Sequence, residues 1–558
     1  MFVSACIKQK NIAKNTPMAT NVYTSTEAMV VSARIEASKI GVDILQQGGN
    51  AIDAAVAVQM ALAVVHPQAG NLGGGGFMIY RNTKKENFAL DFREKAPMRA
   101  HKNMYLDADG NPVPNLSLDG ALAAGVPGTV AACEAMHQRW GKLPWKTLIQ
   151  PAIDLAQNGF PLSAQDAELI NKFQEKFEAL NTQNYFANAS AWKAGDVLKQ
   201  SDLAQTLTRI RDFGAADFYT GKTAELIVSC MQQNGGWIAA EDLKSYSCKW
   251  RTPLVGTYKN YTIITMPPPS SGGIVLLQIA KMLEKMPWQQ WQWQNAEVVH
   301  ATVEAERRAY ADRAVFMGDP DFVKVPVVEL LDTTYLNQRM ANFSPQKANT
   351  SAEIAAGTLP NFPQESEETT HFSIVDAEGN AVSLTTTLNS NFGAKTFVAG
   401  AGFLLNNEMD DFSIKPGVPN QFGLVGNEAN AIAPEKRMLS SMTPTIVTQN
   451  DALKMVLGTP GGSTIITSVW QVFANVFEFG MNMQEAVNKA RFHHQWLPDV
   501  VYMEENAFSA NVLAQLQAMG YKCVAREPIG RVDAILVKNE GTLEAGADQR
   551  GDDAAWGY

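Results

Sequence analysis

Between residues 344 and 368 the sequence runs through Pro, Asn, Ser, Gly and Glu with no apolar periodicity, and at residue 369 it changes abruptly to a strand-forming pattern. A stretch of that composition has little apolar surface to bury, so it reads as a flexible linker. The segment beyond it reads as a hairpin. Residues 372–376 alternate apolar and polar, Ala377, Glu378 and Gly379 intervene, and residues 380–384 alternate again. A three-residue loop with Gly last suits a type I turn followed by a left-handed residue. Centred on Glu378, the register pairs Phe372 with Leu384 and Ile374 with Val382, and by extension Thr369 with Thr387; a bulge would slip it by one residue.

Two facing threonines are, by themselves, ordinary β-branched strand residues. Thr369 differs in being the first residue after the linker. If the bond between Glu368 and Thr369 were cut, Thr369 would carry a free α-amino group. With a reference pKa of roughly 7.7–8.0, that amine can take the proton of its own hydroxyl near neutral pH. Thr387 would donate a hydrogen bond that orients the hydroxyl. A second feature comes after the strand at 453–457: Gly458-Thr459-Pro460-Gly461-Gly462-Ser463-Thr464, then an apolar helix. Unpaired N–H groups and the positive end of the dipole collect at a helix start, so Gly461 and Gly462 could face a developing oxyanion. The same turn could hold a phosphate or only reverse the chain.

The rest of the chain sets the architecture. Residues 32–66 show helical spacing broken at Gly48-Gly49, as two packed helices would. Within them, 51–65 is too short to span a membrane and contains Asp53 and Gln59, so it reads as a buried helix. The run Gly73-Gly74-Gly75-Gly76 before a strand at 77–80 matches no dinucleotide or P-loop spacing and implies close backbone approach. Residues 150–245 and 301–316 read as helices, and 266–273 as a rigid Pro-rich loop before another. After the linker come strands at 369–375, 381–388, 443–448 and 453–457, with helices at 464–479 and 483–489. Hairpins without regular βαβ crossovers give an α+β layered fold. A single core rarely exceeds about 250–300 residues, so 558 residues imply two domains or one large interwoven unit.

The net charge of −10 offers no basic surface for phosphates, which excludes nucleic acid as a partner class. Five scattered cysteines without a CxxC pair give neither a disulfide framework nor a zinc site. Residues 1–10 lack the basic and apolar regions of a secretory signal, although Val3-Ser4-Ala5-Cys6 looks like the end of a lipoprotein signal. Asp410 and Asp411, read as extended, point to opposite faces and share no role. His493-His494 reads as a helix-surface or interface pair, and His371 as structural. Arg93 and Asp411 alone would pass for surface ion-pair residues.

Five strings in order carry a resemblance: Asp91-Phe92-Arg93-Glu94-Lys95-Ala96-Pro97, Thr369-Thr370-His371, Leu405-Asn406-Asn407-Glu408-Met409-Asp410-Asp411-Phe412, Ser440-Ser441-Met442-Thr443-Pro444 and Gly461-Gly462. With similarity across nearly the whole chain, the sequence resembles the γ-glutamyltransferase family, also called γ-glutamyltranspeptidase or glutathione hydrolase. That resemblance implies a four-layer αββα N-terminal-nucleophile hydrolase, self-cleaved into a large subunit, 1–368, and a small subunit, 369–558. It implies Thr369 as nucleophile for both cleavage and catalysis, Thr387 as its hydrogen-bonding companion, and Gly461 and Gly462 as the oxyanion hole. Arg93, Ser440 and Ser441 would bind the glutamyl α-carboxylate, and Asn389, Glu408 and Asp411 its α-amine.

By the same resemblance the substrates are glutathione and other γ-glutamyl compounds, with amino acids or dipeptides as acceptors, no cofactor, no metal, and a periplasmic or secreted location. Two departures stand out. Phe422, in a lid at 416–427, replaces the Tyr of some members and cannot make the hydroxyl's hydrogen bond, and Glu408 stands where some have Gln. Two rivals are a glutaryl-cephalosporin acylase, which Glu408 and Asp411 argue against, and an uncleaved, inactive γ-glutamyl-binding protein.

Overall fold

The computed structural model describes residues 22–357, 370–415 and 428–558; Cys6 and the residues around it fall outside them. Two seven-stranded antiparallel sheets lie at the centre. One runs in the order Thr24–Ser25, Leu543–Gly546, Asp533–Val537, Ala452–Gly458, Thr445–Gln449, Tyr261–Thr265, Leu254–Tyr258. The other runs Ala554–Gly557, Met29–Ser32, Thr370–Val375, Ala381–Thr387, Gly75–Arg81, Asn87–Asp91, Lys249–Arg251. Both sheets interleave strands from before and after residue 369.

Three apolar layers hold these sheets. Met29, Val31, Phe77, Ile79, Ile264, Val456 and Ile535 fill the space between the two sheets. On the outer face of the second sheet, the helices Ile35–Gln46 and Ala51–Val65 pack with Val30, Met78, Phe372 and Leu384. On the outer face of the first, Gly272–Leu283, Ala296–Phe316 and Thr464–Phe477 pack with Ile263, Val447, Met455 and Leu457. The αββα order expected from the sequence is therefore observed. Every residue of Ala51–Val65 is buried, and Asn50 and Asp53 close a capping box at its start. Among the described residues no helix is long and apolar enough to cross a membrane.

The glycine run makes the close approach its composition predicts. A Cβ on Gly74 would sit 1.9 Å from the Thr387 carbonyl oxygen, and one on Gly76 2.1 Å from that of Thr385. Only glycine lets Gly75–Arg81 lie this tightly on the hairpin.

The linker expectation needs correcting over 344–357. That stretch is anchored, because Trp496 Nε1 donates to the carbonyls of Ser351 (3.0 Å) and Ile354 (2.7 Å). The helix Ala296–Phe316 supplies further holds through a buried charge cluster. Glu304 pairs with Arg308 at 2.6 Å and Arg307 at 3.3 Å, and also accepts from the Asn349 amide and the Tyr521 hydroxyl. Arg307 reaches Asp499 and the Ser351 hydroxyl.

Candidate active site

The hairpin forms in the predicted register: Phe372 faces Leu384, Ile374 faces Val382, and the ladder runs to Thr370 opposite Thr386. Gly379 has φ 88°, and its N–H closes the turn on the Asp376 carbonyl at 3.0 Å. Glu368 and Thr369 lie outside the described residues, as does the 416–427 segment with Phe422. Thr387, fully buried at the far end of the second strand, accepts from the Asn389 amide at 2.6 Å. Its carbonyl accepts from Asn71 Nδ2 at 2.9 Å.

Beside Thr387 lies a fully buried ion cluster. Arg93 Nη1 pairs with Glu408 at 2.6 Å and approaches Glu94 at 3.5 Å, while Nη2 pairs with Asp411. Its Nη2 and Nε also donate to the carbonyls of Leu439 and Met438, which places Ser440 next to the cluster. One guanidinium thus faces three carboxyl groups. Burial raises Glu408, an effect opposed by Arg93; burial and then Glu408 push Glu94 well above the carboxylate range. Asn389 adopts φ 72°, donates from Nδ2 to the Asn407 carbonyl at 3.0 Å, and has a buried Oδ1 that meets no hydrogen-bond donor among the described residues.

Residues 408–411 form a 3₁₀ turn, not the extended segment predicted. Asp410 and Asp411 still diverge: Asp410 accepts from the Ser117 hydroxyl at 2.6 Å while Asp411 holds Arg93. Ser440 and Ser441 are buried nearby, and the Ser441 hydroxyl receives Arg313 Nη2 at 3.1 Å.

The glycine turn opens the Thr464–Phe477 helix, with Gly461 at φ 134° and Gly462 at φ 61°. The Gly461 and Gly462 carbonyls accept from the Thr464 and Ile465 amides, both at 3.1 Å. Their own N–H groups donate to nothing among the described residues, so two backbone donors remain at a helix start. Gly461 and Thr370 line one common cleft, which brings this turn to the hairpin end.

A family model described as Gamma-glutamyltranspeptidase matches residues 37–558. The glutathione hydrolase proenzyme of Escherichia coli (strain K12) is 45% identical over 537 residues, covering 95% of this chain and 92% of the relative. That of Pseudomonas aeruginosa is 47% identical over 520 residues, covering 92% and 91%. The chain belongs to the gamma-glutamyltranspeptidase family. Among solved structures, a cephalosporin acylase from Bacillus halodurans superposes with TM-score 0.87 at 26% identity over 99% of both chains. A Helicobacter pylori gamma-glutamyltranspeptidase superposes with TM-score 0.58 at 47% identity, covering 61% of this chain and 97% of that one.

Within this gamma-glutamyltranspeptidase fold, two site residues escaped the sequence reading. Asp91 accepts from the Arg93 amide at 3.0 Å and pairs with Arg251 at 2.7 Å, so it fixes the backbone that carries Arg93. Arg313 reaches Ser441 from the Ala296–Phe316 helix. Nothing local marks it, because that helix is rich in Glu and Arg as well as Ala.

The histidines divide. His371 is structural, as expected: Thr385 Oγ1 lies 2.9 Å from Nδ1 and Ser373 Oγ 3.0 Å from Nε2. Because Ser373 donates onward to the Asp533 carbonyl, Nε2 carries the proton, and burial pulls the ring down to about 3. His493-His494 is not on a helix surface. His493 ends a two-residue strand, and both rings are fully buried. His493 is held between Thr467 and Gln495, while His494 faces Asp499 at 3.2 Å.

Proposed function

We propose that this protein is a self-processing γ-glutamyltransferase, a glutathione hydrolase, that cuts its own chain between Glu368 and Thr369 and uses Thr369 as the catalytic nucleophile. The observation that carries the reading is the Arg93–Glu408–Asp411 cluster beside Thr387. A guanidinium offers a planar fork for the glutamyl α-carboxylate. Glu408, Asp411 and the spare Asn389 Oδ1 accept from its α-ammonium. Ser440 and Ser441 add hydroxyls on the carboxylate side. A buried site with more acids than cations suits a zwitterion better than a plain dicarboxylate such as a glutaryl group, which disfavours the acylase reading despite the close fold match.

With the glutamyl end held in this way, the reaction is a two-step acyl transfer. The free α-amine of Thr369 takes the hydroxyl proton as Oγ attacks the γ-carbonyl carbon, with Thr387 orienting the hydroxyl. The oxyanion forms against the Gly461 and Gly462 amides; removing a donor of this kind typically costs on the order of 100-fold or more in rate. The C–N bond breaks, the amine departs with the proton held by the α-ammonium, and a γ-glutamyl ester remains on Thr369. Water, or an amino acid or dipeptide, then takes the acyl group.

Intact-mass spectrometry of wild type beside Thr369→Ala tests the scheme. Wild type should divide into pieces matching 1–368 and 369–558, less any residues removed at the ends. The variant should stay whole and release no p-nitroaniline from γ-glutamyl-p-nitroanilide. A wild-type preparation that is active yet entirely uncut would sink the mechanism.

A further inference from the structure

Tyr310 is 1% exposed, sits in the Ala296–Phe316 helix, and donates from its hydroxyl to the carbonyl of Ser463. A buried phenol needs an acceptor, and many carbonyls would serve. This one belongs to the residue that caps the Thr464–Phe477 helix, directly after Gly461 and Gly462. The Ser463 hydroxyl is held as well, donating to Gln495 Oε1 at 2.7 Å. Ser463 is thus fixed at both its backbone and its side chain.

The two glycines are tied to the same point. The Gly461 carbonyl accepts from the Thr464 amide at 3.1 Å and the Thr464 hydroxyl at 2.6 Å, and the Gly462 carbonyl accepts from the Ile465 amide at 3.1 Å. At φ 134° and 61°, with no side chain to confine either residue, these ties decide where their N–H groups point. A continuous run of contacts therefore leads from the Tyr310 hydroxyl, through Ser463 and the helix start, to the two amides. Three residues further along the same helix face, Arg313 reaches Ser271 at 2.9 Å and Ser441 at 3.1 Å. One helix touches the oxyanion turn at Tyr310 and the carboxylate serines at Arg313.

We propose that Tyr310 is a positioning residue for the oxyanion: its hydroxyl fixes Ser463 and so aims the Gly461 and Gly462 amides. The proposal rests on the γ-glutamyltransferase reading, and it gives residues 1–368 a hold on a turn that belongs wholly to 369–558. Losing this hold misaims the donors without deleting one. The cost should be about tenfold in rate, less than the roughly 100-fold or more typical of a lost donor.

The test uses two competitive inhibitors. L-norvaline carries the α-carboxylate and α-amine of glutamate on an apolar side chain and offers nothing to the oxyanion turn. The boronic acid analogue of glutamate bonds Thr369 Oγ through boron, as the hydroxyl proton passes to the α-amine, and so sets an oxygen where the oxyanion forms. Tyr310→Phe should weaken the boronate about tenfold, lower kcat/KM for γ-glutamyl-p-nitroanilide by a similar factor, and leave norvaline within about twofold. Inactive chain is silent in these assays, so a smaller folded fraction does not imitate the effect. Arg313→Gln should instead weaken both inhibitors alike, because Ser441 is assigned to the carboxylate they share. Equal losses for both inhibitors in Tyr310→Phe, or no loss for either, would overturn the positioning role and leave the transferase reading standing. So would a Tyr310→Phe chain that never matures, which would assign the phenol to folding or cleavage. A wild type that turns over no γ-glutamyl compound would overturn both.

Discussion

Two buried charge clusters, one around Arg93 and one around Glu304, solve the same problem in opposite ways. Glu304 faces Arg307 and Arg308, with Asp499 as a second acid, so cations and acids balance. Its carboxyl also accepts from Asn349 and Tyr521, and Arg308 donates as well to Asn342 and Asn349. Arg93 faces three carboxyls, while Asn389 Oδ1 and Glu94 Oε1 are buried with no hydrogen-bond partner among the described residues. A satisfied cluster holds a segment in place, as it does the 349–354 stretch. An unbalanced one, with acceptors kept dry and unused, is prepared for something that arrives later.

The contrast can be broken by experiment. Glu304→Ala strands two buried arginines and should lower stability by about 3–5 kcal/mol, read as a large drop in thermal midpoint. If it instead left the midpoint untouched, the balanced cluster would have no structural role. Asp411→Asn should act on substrate, lowering kcat/KM for γ-glutamyl-p-nitroanilide roughly 10- to 100-fold with little change in midpoint. A midpoint loss as large as that of Glu304→Ala would erase the distinction.

The smallest effect, taken per pH unit, is the response of the buried rings. Burial holds His371 and His493 at about 3 and His494 at about 4, below the ordinary 6.5 of an unfolded chain. In that interval the unfolded chain binds protons that the folded one refuses, so their stabilising contribution is complete above about pH 6.5 and is lost as the pH falls toward 4. Each ring adds up to about 1.4 kcal/mol per pH unit to the slope, and His493→Gln should flatten it by one ring's share. Melting curves between pH 4.5 and 7 with unaltered slope would show that the ring titrates alike in the folded and unfolded states.

Local rules made much of this legible beforehand. The 372–384 hairpin was readable because alternation and Gly379 fix both strands and turn within a dozen residues, and the glycine run because no other residue tolerates a carbonyl at such range. The Thr464–Phe477 helix start was readable from its Gly-Gly-Ser-Thr opening. The failures all depended on distant partners. His493 and His494 are buried because two helices from elsewhere in the chain fold against them, Ala296–Phe316 through Glu306 and Tyr310 and Thr464–Phe477 through Thr467, which no local pattern reveals. Arg313 joins Ser441 across 128 positions of sequence. The 344–357 stretch has the composition of a loose linker, yet Trp496 ties it down from far along the chain. Arg93, Glu408 and Asp411 were picked out by resemblance alone, since a lone Arg and a lone Asp look like any surface pair.

Because each central sheet combines strands from both sides of residue 369, the proposed cut there would yield two polypeptides that share every layer of the core. Neither piece has a complete sheet of its own, so parting them means unfolding both. Dilution should therefore not dissociate the mature particle, and labelled and unlabelled halves mixed after maturation should not exchange. The proposed scission would work as a one-way ratchet: a single peptide bond is given up to create a new chain end, and the woven sheets keep the halves in step thereafter.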